Sequence, residues 1–98
     1  MDIDIRECGE VYPPSEDTFL LLDVLDTVPG ERVLEMGCGT GLISCHLAAG
    51  GAALTAADVN PKATECTWAN LRRNGLPGQV VESDLFANVP GCFDLIVF

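Results

Sequence analysis

The sequence predicts an α/β fold with a mainly parallel sheet, and three observations carry that expectation. Short apolar runs alternate with longer helix-like segments along most of the chain. The runs RVLEM and DLIVF are near-continuous rather than alternating, as strands buried on both faces are. A glycine-rich stretch, GCGTG, joins the first of these strands directly to the helix that follows it.

In chain order, residues 1–14 read as an irregular or short-stranded lead-in ending in Pro13-Pro14. A helix is expected from about Glu16 to Thr27, with Ser15 as N-cap and Glu16 and Asp17 complementing the positive end of its dipole. Phe19, Leu20, Leu22 and Leu25 supply its apolar positions, and Pro29-Gly30 breaks it. Arg32–Met36 is the first clear strand, and LISCHLAAG a helix stopped at Gly50-Gly51. Ala53–Asp58 is the second strand. Asn60 and Pro61 then cap and open a helix to about Asn74, where Gly75 stops it. Gln79–Glu82 is the third strand, and a fourth runs from about Phe93 to the end. This order implies a Rossmann-like, three-layer α/β/α fold whose ligand crevice lies at the carboxyl ends of the strands. Residues 1–30 form a lead-in and helix, residues 31–98 the core of a single domain. DLIVF reads as a mid-sheet strand, and ending there would leave an apolar edge unpaired, so the domain is expected to be incomplete.

Composition narrows the function classes. The formal charge is −10, from 15 acidic and five basic residues, and Lys62 is the only lysine. Such a surface repels phosphate backbones, so nucleic acid is a disfavoured partner. No apolar run is long enough to cross a bilayer, and MDIDIRECGE lacks the basic start and apolar core of a signal peptide, which places the chain in the cytoplasm without a membrane partner. The five cysteines form no CxxC pair and the one histidine, His46, has no second to match, so no metal is expected. Their odd number and the cytoplasmic setting argue for reduced thiols, with Cys45 and Cys66 as small core residues. Cys38 reads as a loop filler, Trp68 as packing and Arg72 and Arg73 as complements to a helix dipole.

The glycine loop is the strongest local signal. Gly37, Gly39 and Gly41 permit positive φ and let backbone approach a ligand with no Cβ between them. A dinucleotide fingerprint, GxGxxG, would need glycine where Leu42 stands. It would also set a pyrophosphate beside Glu35, a repulsion on the order of 1–4 kcal/mol. No lysine or arginine lies in the loop to offset it. S-Adenosylmethionine brings an ammonium and a sulfonium instead, and Glu35 suits both. Asp58 ends the second strand some 20 residues beyond the glycines, where an acid accepts from ribose hydroxyls; its plainer reading is help in capping the helix at Pro61. Asp84 follows the third strand, placed to accept from an adenine amine. All three acids sit at strand carboxyl ends.

VLEMGCGTG, ADVNP, ESDLF and FDLIVF, in that order, resemble class I S-adenosylmethionine-dependent methyltransferases. The lead-in VYPPSEDTFLLLDVL resembles the YxPxEDTxLL segment of the HemK/PrmC-type glutamine methyltransferases, especially their short eukaryotic and archaeal branch. The resemblance implies the N-terminal half of a class I methyltransferase fold. It implies that Thr18 holds the methionine part of the cofactor, that Glu35 and Gly37 contact its amino-acid moiety within the Gly37-Gly39-Gly41 loop, that Asp58 binds ribose, and that Asp84 and the Leu85 backbone face adenine. It implies N5-methylation of a glutamine in a peptide-chain release factor, with a small activating subunit as a further partner. In that family FDLIVF runs on into an NPPY motif that grips the substrate amide; Phe98 is the last residue here, so no catalytic residue is assigned. Two alternatives stand beside this: methylation of RNA or DNA bases, and a non-catalytic methyltransferase-like partner subunit.

Overall fold

The computed structural model describes residues 2–25 and 28–98. Its elements are α1 (Glu16–Val24), β1 (Arg32–Met36), α2 (Leu42–Ala49), β2 (Ala53–Asp58), α3 (Pro61–Arg73), β3 (Gln79–Glu82) and β4 (Leu95–Val97). The strands form one sheet in the order β3-β2-β1-β4, and every pair is parallel. The expected Rossmann-like class is therefore present. β2 and β3 run out to one side of β1, and β4 lies on the other. That change of direction is a topological switch point, where an open parallel sheet leaves a crevice above its carboxyl ends.

The two faces of the sheet are covered differently. Val33, Leu54 and Val97 meet Ile43 and Leu47 of α2 and Leu71 of α3 on one face. α2 also touches α1, so the described helices share that face. On the other, Leu34, Met36 and Ala57 are covered by Val89 and Phe93 from the segment before β4. Val33 and Leu34 are adjacent yet both fully buried, which explains why β1 reads as a continuous apolar run.

Two elements are shorter than expected. α1 has the anticipated cap: Ser15 Oγ accepts from Thr18 N, and Ser15 N donates back to Thr18 Oγ1. It ends at Val24, however, and its expected last residue, Thr27, lies outside the described residues. No residue of α1 is fully buried; Leu21, Leu22 and Leu25 pack partly on the core while Phe19, Leu20 and Val24 face solvent. β4 begins at Leu95 rather than Phe93, because Phe93 turns onto the second face of the sheet. The Asp94 carboxylate accepts from Arg32 N at 2.8 Å and holds the strand's entry. α3 begins as expected, Asn60 Oδ1 accepting from Lys62 N at 3.0 Å with Pro61 in the first turn.

The lead-in is not irregular in its contacts. It runs antiparallel to α3, and Asp4, Arg6 and Cys8 meet positions four residues apart, Asn74, Asn70 and Cys66. Asp4 exchanges two hydrogen bonds with the Asn74 side chain, at 2.8 and 2.9 Å. Arg6 exchanges two with Asn70, both at 3.0 Å. The Glu10 carbonyl accepts from Asn60 Nδ2 at 3.2 Å. Between them Cys8 and Cys66 form a disulfide, with Cα atoms 6.1 Å apart. This corrects the expectation of five reduced thiols. Two residues of extended chain span nearly the rise of one helical turn, so this register carries Cys8 onto Cys66. Cys45 is a core residue as expected, and Cys66 is buried against the lead-in, which forms a strap along α3. Among the described residues, no helix is long and apolar enough to cross a membrane.

Candidate functional site

A cleft of about 510 Å³ opens above the carboxyl ends of β1 and β4. Its floor is the glycine loop, its near wall is Tyr12-Pro13-Pro14 with Asp17 and Thr18, and Phe98 closes one side. Asp17 and Glu35 are the charged residues among its lining, and both are acids.

The loop is shaped by backbone bonds to the neighbouring strand. Gly37 N and Cys38 N both donate to the Ala57 carbonyl, at 2.7 and 3.0 Å. Gly37, Gly39 and Gly41 have φ of 82°, 55° and 88°, all in the left-handed region. A Cβ on Gly37 or Gly39 would meet nothing within 4 Å, so at these two positions the loop leaves its free space towards the cleft. Gly41 differs: a Cβ there would come within 2.9 Å of the Thr67 Cα on α3.

Glu35 is the chemically unusual group. It is 4% exposed, lines the cleft, and accepts from Ser44 Oγ at 2.5 Å. Burial pushes its carboxyl up to about 7, the Ser44 hydrogen bonds opposing and the Asp58 charge adding to the rise. A cation bound against a buried carboxylate of this kind stabilises its charged form.

Asp58 sits beside this loop rather than in the cleft lining. Its Oδ2 accepts from Gly39 N at 3.2 Å and its Oδ1 from Asn60 N at 2.9 Å. It thus couples the glycine loop to the start of α3, while the cap itself is Asn60. The sheet register sets Asp58 opposite Glu82, so β1, β2 and β3 deliver Glu35, Asp58 and the turn holding Asp84 along one edge. Asp84 and Leu85 lie outside the cleft lining. Leu85 has a φ of 51°, and its carbonyl accepts from Ser83 Oγ at 2.6 Å, which shapes the turn.

Sequence reasoning missed two residues of α3. Thr67 Oγ1 donates to the Gly39 carbonyl at 3.0 Å. Asn70 is 1% exposed and its Nδ2 donates to the Thr40 carbonyl at 2.8 Å, besides holding Arg6. Asparagine and threonine are poor interior helix formers, and their presence mid-helix on α3 was the available signal. Of the other candidates, Cys38 lines the cleft while His46 and Trp68 lie outside its lining. Burial pushes the Cys38 thiol up to about 12, which removes it as a nucleophile. His46 is exposed. Trp68 is half-exposed under the Arg72 guanidinium, 4.9 Å from its ring centre, rather than packed in the core.

The family model of the methyltransferase small domain matches residues 15–98. The chain belongs to the methyltransferase small domain family. This small domain is 47% identical over 90 residues to a Methanocaldococcus jannaschii protein named as a putative protein N5-glutamine methyltransferase, covering 91% of this chain and 46% of that one. It is 41% identical to methyltransferase HEMK2 of Mus musculus, covering 91% of this chain and 47% of the other. The chain thus spans about half the length of these curated relatives. Among solved structures, the T. thermophilus 16S rRNA N2 G1207 methyltransferase, in complex with S-adenosylmethionine and guanosine, matches with a TM-score of 0.81 at 25% identity, over 90% of this chain and 26% of that one.

Proposed function

We propose that this small domain binds S-adenosylmethionine and belongs to an enzyme that methylates the side-chain amide nitrogen of a glutamine in a protein, a peptide-chain release factor being the expected substrate. The observation that carries the cofactor reading is the pairing of Glu35 with an open glycine turn in a cleft whose charged lining residues are both acids. Glu35 faces the cofactor's ammonium, and ion pairing returns its carboxyl to the charged form. Gly37 and Gly39 leave room for the methionine portion, and Thr18 holds that portion from the α1 side of the cleft. Gly41 keeps the loop close to α3. Asp58 holds the loop through Gly39 N and offers its remaining lone pairs to the ribose. Asp84 and the Leu85 backbone take the adenine. Bound S-adenosylmethionine supplies an electrophilic methyl group; the chain's own residues bind and orient it, and exclude diphosphates by charge.

The protein-glutamine reading is supported by the names of the archaeal and murine relatives and by the −10 charge. A base-methylating reading is supported by the likeness to the rRNA methyltransferase. A small activating subunit stays part of the proposal through the same family resemblance. Calorimetry with S-adenosylhomocysteine and with NADH tests the cofactor first. Binding of the former alone is expected, with Asp58→Asn weakening it about tenfold through loss of a charge-assisted acceptor. Tight NADH binding without S-adenosylhomocysteine binding would overturn the assignment. Radiolabelled methyl transfer to release factor against 16S rRNA then separates the two substrates.

A further inference from the structure

The four contacts that hold the lead-in to α3 differ in strength. Those of Asp4 and Glu10 are exposed hydrogen bonds, which contribute little net. The Arg6–Asn70 pair is half-buried. The covalent link, Cys8–Cys66, lies between the Arg6 and Glu10 contacts. Beyond it the chain turns at Glu10, with φ of 65°, and lays Tyr12-Pro13-Pro14 along the cleft. The face of α3 that grips this strap also grips the glycine loop, Asn70 bonding both Arg6 and the Thr40 carbonyl. Strap, helix and cleft floor are therefore one connected unit.

We propose that Cys8 and Cys66 are a redox latch: the disulfide keeps residues 4–14 on α3 and the cleft wall in place, and its reduction frees the strap and weakens cofactor binding. The inference rests on the reading of the cleft as the S-adenosylmethionine site. Cys8 is half-buried and Cys66 is 3% exposed, so an external thiolate reaches the Cys8 sulfur first. Its attack breaks the Cys8–Cys66 bond, forms a mixed disulfide at Cys8, and releases Cys66 as a thiolate that takes up a proton. A second external thiol attacks the mixed disulfide, releasing the Cys8 thiol and the external disulfide. Two electrons pass from two small-molecule thiols to the protein, and a small-molecule disulfide such as oxidised glutathione reverses the exchange. Cys38 and Cys45 do not compete, because burial pushes their thiols up to about 12 and about 11.

The test begins with a thiol titration of protein that has been air-oxidised and then denatured without reductant. Three free thiols are expected, from Cys38, Cys45 and Cys92; five would overturn the latch. Amide exchange of residues 4–10 and calorimetry with S-adenosylhomocysteine are then compared in oxidised protein and after phosphine reduction. Reduction should speed exchange across the strap and weaken affinity by roughly tenfold, a usual size for coupling between two sites. Cys8→Ser should behave as reduced protein whatever the redox state, and Cys92→Ser should keep the full response. Equal strap exchange in both states overturns the latch. Faster exchange with unchanged affinity also overturns it, since the strap would then be uncoupled from the cleft. Failure of S-adenosylhomocysteine to bind either state overturns the cofactor reading instead, and the exchange data distinguish that case.

Discussion

At about pH 8, Glu35→Gln should melt at a higher temperature than the wild-type protein and bind S-adenosylhomocysteine far more weakly. Both effects follow from one buried carboxyl. Glu35 titrates near 7 in the folded protein against 4.5 as its ordinary value. Because the folded value is raised, the group is neutral in both states below about pH 4.5 and contributes no pH-dependent term there. Between about 4.5 and 7 the unfolded chain has lost its proton and the folded chain has not, so stability falls as pH rises. Above 7 the penalty is complete, roughly 3 kcal/mol at 1.4 kcal/mol per unit. Glutamine removes that penalty while its carbonyl still accepts from Ser44 Oγ. Melting should therefore rise by roughly 12–24 °C at pH 8, given the 4–8 °C per kcal/mol of a domain this size, and by little at pH 4. Affinity should move the other way. If the ligand ammonium pairs with ionised Glu35, wild-type binding at about pH 5.5 should be roughly thirtyfold weaker than at pH 8, and the variant should show no such slope. A variant that loses stability at pH 8, or a wild-type affinity flat across this range, would remove Glu35 from the role assigned to it.

The acid and the loop around it were legible because both are local. A strand running into alternating glycines has few physical readings, and the missing glycine at Leu42 with an acid at Glu35 separated them. The strand limits of β1, β2 and β3 followed from apolar runs bounded by glycine, proline and acids. What could not be read is the work of α3 as a clamp. Thr67, Asn70 and Asn74 act on residues 28 to 70 positions away, and nothing near them in the chain announces those partners. The Cys8–Cys66 pairing depends on the same long-range register, a period of two laid against a period close to four. Compartment and count favour free thiols, and the long-range geometry overrides both. Likewise α1 has apolar residues in helical spacing, but the core it faces is small, and Phe19, Leu20 and Val24 stay exposed.

The glycines of the loop look alike in sequence, yet alanine at Gly41 and at Gly37 should have different consequences. At Gly41 the new Cβ would lie 2.9 Å from Thr67 Cα and 3.0 Å from both its side-chain branches. The nearest of these is backbone, so no rotamer change relieves it, and α3 must move outward. Added to the strain of φ near 88°, the substitution should cost about 3 kcal/mol or more. It should also loosen the Asn70 and Cys66 contacts that α3 carries to the strap. At Gly37 there is no such neighbour, and the cost should be the conformational strain alone, about 1–2 kcal/mol. The Gly37 Cβ instead enters the open space at the floor of the cleft, so S-adenosylhomocysteine affinity should fall at least tenfold in a protein that stays folded. Urea unfolding and calorimetry on the two variants separate the cases. Gly37→Ala reports on the ligand and Gly41→Ala on the packing of α3 against the loop. Equal stability losses would mean that the loop shape is not set by α3, and unchanged affinity in Gly37→Ala would mean that the ligand does not lie over this turn.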